Sequence, residues 1–364
     1  MNILVFCSAN SSFNSIRPEA EIYIGLARRG HNLTIVTHGD SEYAERFQVE
    51  GIEVIDGHPR YKISLRAIRL IRRLLRERQF DILYATNSRT IPNAAFACIG
   101  KAIKLVAYRG TTSGLYRHDP SSYLTLLHPR INGIVCVSDA VRDIVQHQVW
   151  GNRCRIVTIH KGHDLAWYDK APADLSEFGI GADDFTVICV INARPSKGLS
   201  VMLEATHKLD QLKRLHLLLV GKNIDQPPYI ELINGSPLRE RIHVAGYRHD
   251  APELIAASDL LVQPSISGEG LPRTVMEALG YGTPPVITTT GGGKEVIRDG
   301  VNGFIVPVRD PDAIAARVVQ LYNDPNLLQQ LATQCRETLA GEFSLQATVI
   351  RYEEYFSSLL TSSD

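Results

Sequence analysis

Short, unbroken apolar runs recur along the first half of the chain. They cover Ile3 to Cys7, Leu33 to Thr37, Glu53 to Ile55, Asp81 to Ala85, Lys104 to Tyr108, Ile134 to Val137 and Arg155 to Ile159. Runs that are apolar throughout, instead of alternating, are the pattern of strands buried on both faces. Stretches of helical periodicity separate them, among them Pro18 to Arg29, closed by Gly30, and Ser138 to Gln148. Strand–helix alternation of this kind predicts a parallel, doubly wound α/β sheet.

The rhythm pauses at 170–184, a segment rich in turn residues, and then restarts. New strands are predicted at Thr186 to Ile191, His216 to Val220, Ile242 to Ala245, Leu260 to Val262, Val286 to Thr288 and Phe304 to Val306. Helical patterns close the chain, the last over Leu345 to Leu360. Two such sheets in series predict two Rossmann-like domains, over 1–168 and 169–344, a division that the 364-residue length also favours. Ligands of doubly wound sheets bind at the carboxyl ends of the strands.

Composition narrows the class. Lys and Arg total 39 and Asp and Glu total 39, so overall charge gives no support to a nucleic-acid partner. The six cysteines are dispersed, none in a C-x-x-C pair, and most sit in apolar runs; a reducing cytosol is expected. No run approaches the ~18 apolar residues of a spanning helix. Met1 to Cys7 reads as a first strand and not as a signal peptide. The expected location is therefore cytoplasmic, at most peripheral on the inner face of the cell membrane. Neither G-x-G-x-x-G after the first strand nor G-x-x-x-x-G-K-[ST] is present, which disfavours dinucleotide and P-loop chemistry.

Candidate chemistry concentrates in Gln263-Pro264-Ser265-Ile266-Ser267-Gly268-Glu269-Gly270-Leu271-Pro272-Arg273-Thr274-Val275-Met276-Glu277-Ala278-Leu279. It reads strand, loop, helix, with Pro272 near the first helical position, where proline is tolerated. Open amides at a helix start attract anions. Two carboxylates, Glu269 and Glu277, would repel a phosphate there, but they suit the vicinal diols of a nucleotide sugar. A cationic loop, Asn192-Ala193-Arg194-Pro195-Ser196-Lys197-Gly198, follows the first strand of the second half. Arg194 can fork onto two phosphate oxygens and Lys197 can act as a point charge.

Glu269 and Glu277, with seven residues between them, resemble the E-x7-E motif of the retaining GT-B glycosyltransferases, glycosyltransferase family 4. The resemblance runs on through Ala278 to Val286, Gly291-Gly292-Gly293-Lys294-Glu295-Val296-Ile297 and Asp299-Gly300-Val301-Asn302-Gly303-Phe304. In the first half it rests on the order of elements and on Val137-Ser138-Asp139-Ala140-Val141-Arg142. It implies a GT-B fold, with residues 345–364 packing back on the first domain. It also implies a retaining transfer from a nucleotide diphosphate sugar to a glycan or lipid-linked acceptor, in surface polysaccharide or lipopolysaccharide assembly. Two alternatives are a nucleotide-sugar epimerase on the same fold and a non-catalytic nucleotide-sugar binding subunit.

The resemblance implies Glu277 on the ribose hydroxyls and Glu269 on the donor sugar or against its developing positive charge. The backbones of Gly270, Leu271, Arg273 and Thr274 would face the sugar hydroxyls and the diphosphate. Lys197-Gly198 matches the family's Arg…Lys-Gly signature, but Asn192 stands at the arginine's place and Arg194 lies two residues closer. Tyr247 stands where relatives hold the base. The family's Gly-Gly turn after the first strand is replaced by Phe13-Asn14-Ser15-Ile16-Arg17, leaving Asn14 or Arg17 as side-chain substitutes. Where relatives place a catalytic histidine, this chain has Arg109, and His118 follows; either can take that position. Asp119 either orients His118 or caps the next helix. No metal and no cofactor are expected, the diphosphate being neutralised by side chains and a helix dipole.

One stretch stands apart. From Arg60 to Phe80 there are eight basic residues opposed by Glu77 alone. Arg66, Arg69, Arg73 and Arg76 share one helical face, and Ile68, Ile71 and Leu75 another. The segment 63–79 reads either as a solvated surface helix or as a contact with anionic membrane.

Overall fold

The computed structural model describes residues 1–10, 13–151 and 154–361. The chain divides into two compact units, Met1–Gly162 with Leu345–Asp364, and His163–Ser344.

The first unit alternates β1 (Asn2–Phe6), α1 (Phe13–Arg28), β2 (Asn32–Thr37), α2 (Glu42–Val49), β3 (Glu53–Asp56), α3 (Leu65–Glu77), β4 (Ile82–Ala85), α4 (Thr90–Ala97), β5 (Lys104–Arg109), β6 (Gly133–Cys136), α5 (Asp139–Gln148) and β7 (Arg155–Thr158). Its seven strands are all parallel, in the order β3-β2-β1-β4-β5-β6-β7. The central strands are fully buried, which is why they read as continuous apolar runs.

The second unit repeats the scheme with β8 (Phe185–Val190), α6 (Leu199–Ala205), β9 (Leu215–Val220), α7 (Tyr229–Asn234), β10 (Ile242–Gly246), α8 (Ala251–Ala256), β11 (Leu260–Gln263), α9 (Arg273–Tyr281), β12 (Pro285–Thr288), α10 (Gly293–Val296), β13 (Phe304–Val306), α11 (Pro311–Asn323) and α12 (Pro325–Ala340). Its six parallel strands run β10-β9-β8-β11-β12-β13. The turn-rich segment 170–184 is stitched to this unit, Ala173 N donating to Glu253 O at 3.0 Å and Arg248 holding Glu177 at 2.8 Å.

Helix α13 (Leu345–Thr361) returns to the first unit and lies against α1. Gly25 of α1 leaves the room that Val349 fills. Tyr84 and Tyr352 hydroxyls meet at 2.9 Å, and Tyr355 OH donates to Arg155 O at 2.6 Å. The last three positions of the expected helix, 362–364, lie outside the described residues.

Three local expectations change. Helix α1 begins at Phe13 and not at Pro18, which lies inside the helix and forgoes one ladder hydrogen bond there. On α3 the fully buried row is Ala67, Ile71 and Leu74, with Ile68 and Leu75 at its half-buried edges. Ser138 is the cap of α5, its hydroxyl accepting from Val141 N. Among the described residues no helix is long and apolar enough to cross a membrane.

Candidate active site

In the second unit β11 ends in Gln263, and a loop carries the chain to α9. Helix α9 starts without a side-chain cap: Pro272 is the first flanking residue, and Val275 N is the first amide to bond back, to Pro272 O at 3.2 Å. The amides of Arg273 and Thr274 lie in the first turn, at the partially positive end of the helix.

Glu269 is buried immediately before this end, at 6% exposure. One of its oxygens, Oε1, gathers three donors: Lys197 Nζ at 2.6 Å, Ser265 Oγ at 2.6 Å and Gln263 Nε2 at 3.3 Å. Gln263 is oriented in turn by Thr274, whose hydroxyl donates to Gln263 Oε1 at 3.0 Å. Its amide nitrogen also reaches Ser265 Oγ at 2.9 Å. The end of β11, the acid and the first turn of α9 thus form one polar network. A carboxylate so placed is held in one rotamer before any ligand arrives.

Two close backbone approaches fix this geometry. Lys197 closes a 3-10 turn, Pro195–Lys197, followed by Gly198 at φ +69°. A Cβ on Gly198 would stand 1.9 Å from Pro264 O, so only glycine lets the cationic loop reach the acidic one. Ile266 N and Ser267 N then donate to Ser196 O at 2.8 and 3.2 Å. On the other side Gly291, at φ +58°, passes so close that a Cβ would lie 2.1 Å from Glu269 O. Gly292 N donates to Gly270 O at 2.6 Å, tying down the backbone after the acid.

Glu277 lies two turns into the motif and is 4% exposed. Its Oε1 is 3.1 Å from Arg273 Nε, an i,i+4 pair. Burial pushes its carboxyl up to about 7, an effect that Arg273 only partly offsets. Arg194 is exposed, and among the described residues its side chain makes no ion pair. Asn192 plays a structural part: its Oδ1 accepts from Lys222 N at 3.0 Å. Lys222 Nζ lies 4.7 Å from the ring centre of half-exposed Tyr247, which His249 meets edge-on at 5.1 Å.

The structure therefore joins Lys197 to Glu269 and Arg273 to Glu277. Sequence reasoning missed Gln263 and Ser265, which hold Glu269, and gave Thr274 only a backbone role and not its hydroxyl's hold on Gln263; single polar residues at a strand end carry no distinctive spacing.

The first-unit candidates are more local. Asn14 lies in the first turn of α1. Arg109 ends β5, and its guanidinium donates to the carbonyls of Thr111 (2.9 Å) and Ser113. Exposed His118 stacks on Tyr116 at 5.3 Å. Asp119 caps the 3-10 turn Pro120–Leu124, accepting from Ser121 N at 2.9 Å and Ser121 Oγ at 2.7 Å.

Comparison with known proteins matches this architecture on both halves. Residues 172–338 fit the model of the glycosyl transferases group 1, and residues 20–167 that of glycosyltransferase family 4. The N-acetyl-alpha-D-glucosaminyl L-malate synthase of Bacillus anthracis is 26% identical over 354 residues, 92% of this chain and 91% of that protein. A lipopolysaccharide core biosynthesis glycosyltransferase of Rhizobium meliloti is 28% identical over 226 residues, 62% of this chain and 64% of its own. Among solved structures, Anabaena HepE in complex with UDP superposes with a TM-score of 0.78 at 21% identity, covering 98% of this chain and all of that one; that likeness is one of fold.

Proposed function

Because this chain is a glycosyltransferase of the GT-B fold, its halves matching the group 1 and family 4 models, we propose that it transfers a sugar, with retention, from a nucleotide diphosphate sugar bound in the second unit. The acceptor is a glycan or lipid-linked sugar of surface polysaccharide or lipopolysaccharide assembly, the setting named for the Rhizobium relative. The observation that carries this reading is the 2.6 Å contact of Lys197 with Glu269 at the start of α9, between residues 72 positions apart.

In the reaction the anomeric C–O bond to the diphosphate breaks, and a C–O bond to an acceptor hydroxyl forms. Positive charge grows on the sugar ring and negative charge on the departing diphosphate. Lys197 exchanges Glu269 for the diphosphate when donor binds, and Arg194 and the amides of Arg273 and Thr274 complete its neutralisation. Glu269, its Oε1 still held by Ser265 and Gln263, takes a donor-sugar hydroxyl. The Gly270 and Leu271 backbones line the same sugar. Glu277 accepts from the ribose diol, and Tyr247 stacks on the base. In the first unit, His118 or Arg109 takes the catalytic histidine's position, and Asn14 is the side-chain substitute for the missing glycine turn. No divalent ion takes part, so a chelator leaves the rate unchanged. The chain works on the cytoplasmic side, contacting anionic membrane through 63–79.

The test is release of nucleoside diphosphate from candidate donors, beginning with UDP-sugars because the HepE neighbour binds UDP. Slow hydrolysis without acceptor, with Glu277→Ala weakening donor binding and Glu269→Ala chiefly lowering turnover, is the expected result. Conversion of the donor to a sugar epimer, binding without turnover, or full activity in both variants would each refute the assignment.

A further inference from the structure

Away from the donor site, the first unit has a surface cavity of about 450 Å³ lined by Arg69, Arg72, Arg76, Ile99 and Lys101. Its size falls in the range of small-molecule sites, but its wall is cationic where most such sites are apolar. No carboxylate lines it. Some arginines elsewhere on the unit are paired with carboxylates, as Arg28 with Glu50 and Arg78 with Glu53. Here, among the described residues, Arg69, Arg76 and Lys101 make no ion pair.

One cation of the wall is anchored by its own hydrogen bond. Arg72 donates to Phe96 O at 3.2 Å, pinning α3 to the last turn of α4. The carbonyls beyond α4, which would repel an anion, are occupied by Arg130: it donates to Cys98 O at 2.9 Å and Lys101 O at 2.7 Å. A like-charged concavity with its nearby dipoles neutralised focuses positive potential and concentrates anions.

The flanks indicate which anion. Leu65, Arg69, Arg72 and Arg76 fall on one narrow stripe of α3 at helical spacing. Leu65 at the head of that stripe is 64% exposed, and Ile99 in the cavity wall is 52% exposed. Apolar side chains left in water beside unpaired cations fit an interface where one end is oily and the other anionic. We propose that this cavity seats the phosphate of an anionic lipid headgroup, with Leu65 and Ile99 toward the acyl boundary. It deepens the membrane contact proposed above and rests on that reading only for the source of the phosphate.

The test uses the full chain, phosphatidylcholine vesicles containing a minority of phosphatidic acid, and inorganic pyrophosphate as a soluble probe. Two variants remove the same charge from the same helix. Arg69→Gln/Arg76→Gln empties the cavity wall; Arg66→Gln/Arg73→Gln lies about a quarter-turn away. The expected result is a loss of vesicle affinity about tenfold larger for the first than for the second. The wild type and the second variant should show one saturable pyrophosphate site that the first variant lacks, beyond any binding at the donor site, with melting temperatures unchanged. Lys101→Gln, on a different segment, should repeat the loss and guards against local unfolding of α3. Equal losses in the two double variants would overturn the site while leaving a diffuse membrane contact standing. A saturable pyrophosphate site that Arg69→Gln/Arg76→Gln removes, without vesicle binding, would overturn the lipid assignment.

Discussion

Glu277 sets burial against charge. Its carboxyl is pushed up to about 7, so near neutrality a large share of free protein carries it protonated. A ribose diol is better bound by the carboxylate, which accepts on both oxygens. Nucleoside diphosphate affinity should therefore strengthen as pH rises through about 7, and Glu277→Gln should bind weakly with that pH dependence flattened; calorimetric titration across this range measures both. Stability moves the other way. The folded carboxyl lies above its usual 4.5, so its contribution is fully present below that value and is lost as pH rises through about 7. The difference is about 3 kcal/mol, and Glu277→Gln should melt higher than wild type at mildly alkaline pH. Lys197 offers a second residue-scale test. Lys197→Met should narrow the affinity gap between a nucleoside diphosphate and its nucleoside by about tenfold or more, the size of a charged hydrogen bond. An equal loss for nucleoside and diphosphate would place the lysine elsewhere than on phosphate.

At the scale of elements, the site depends on loops that only glycine permits. Gly291→Ala adds a left-handed penalty of roughly 1–2 kcal/mol and a clash with Glu269 O. It should lower turnover strongly while far-ultraviolet dichroism stays native, because the displaced segment lies after β12 and not within it. An unaffected turnover would mean that the position of Glu269 does not matter. These loops also mark what could be read from the residues alone. The strands were legible, since a strand buried on both faces, such as Leu260–Gln263, has no alternative to a continuous apolar run. The position of Glu269 was legible through its spacing to Glu277 and its neighbours. What held it was not: Gln263, Ser265 and Thr274 act through side-chain hydrogen bonds, which leave no periodicity. Asp119 could be read two ways because capping and histidine orientation ask for the same residue type; the geometry gives it to Ser121. The start of α1 was hidden because Pro18 looks like a helix start, although the preceding turn already winds.

At the scale of the whole molecule, the chain ends by completing the unit it began. Helix α13 buries Val349, Tyr352, Tyr355, Phe356 and Leu359 within the first unit. At roughly 1.5–3 kcal/mol for each large apolar side chain, this helix contributes on the order of 10 kcal/mol, comparable to the entire stability of a typical domain. Truncation after Ser344 should leave the first unit unfolded or aggregated, as measured by soluble yield and by loss of cooperative melting; a truncated chain that melts like the full one would show the helix to be dispensable. The central claim is that the amino end of α9, with Glu277, Glu269 and Lys197, holds the leaving group of an activated sugar. A crystal structure with a UDP-sugar tests it most directly. The account predicts ribose hydroxyls on Glu277, the diphosphate on Lys197, Arg194 and the first amides of α9, and the sugar beside Glu269; a nucleotide bound anywhere else would contradict it.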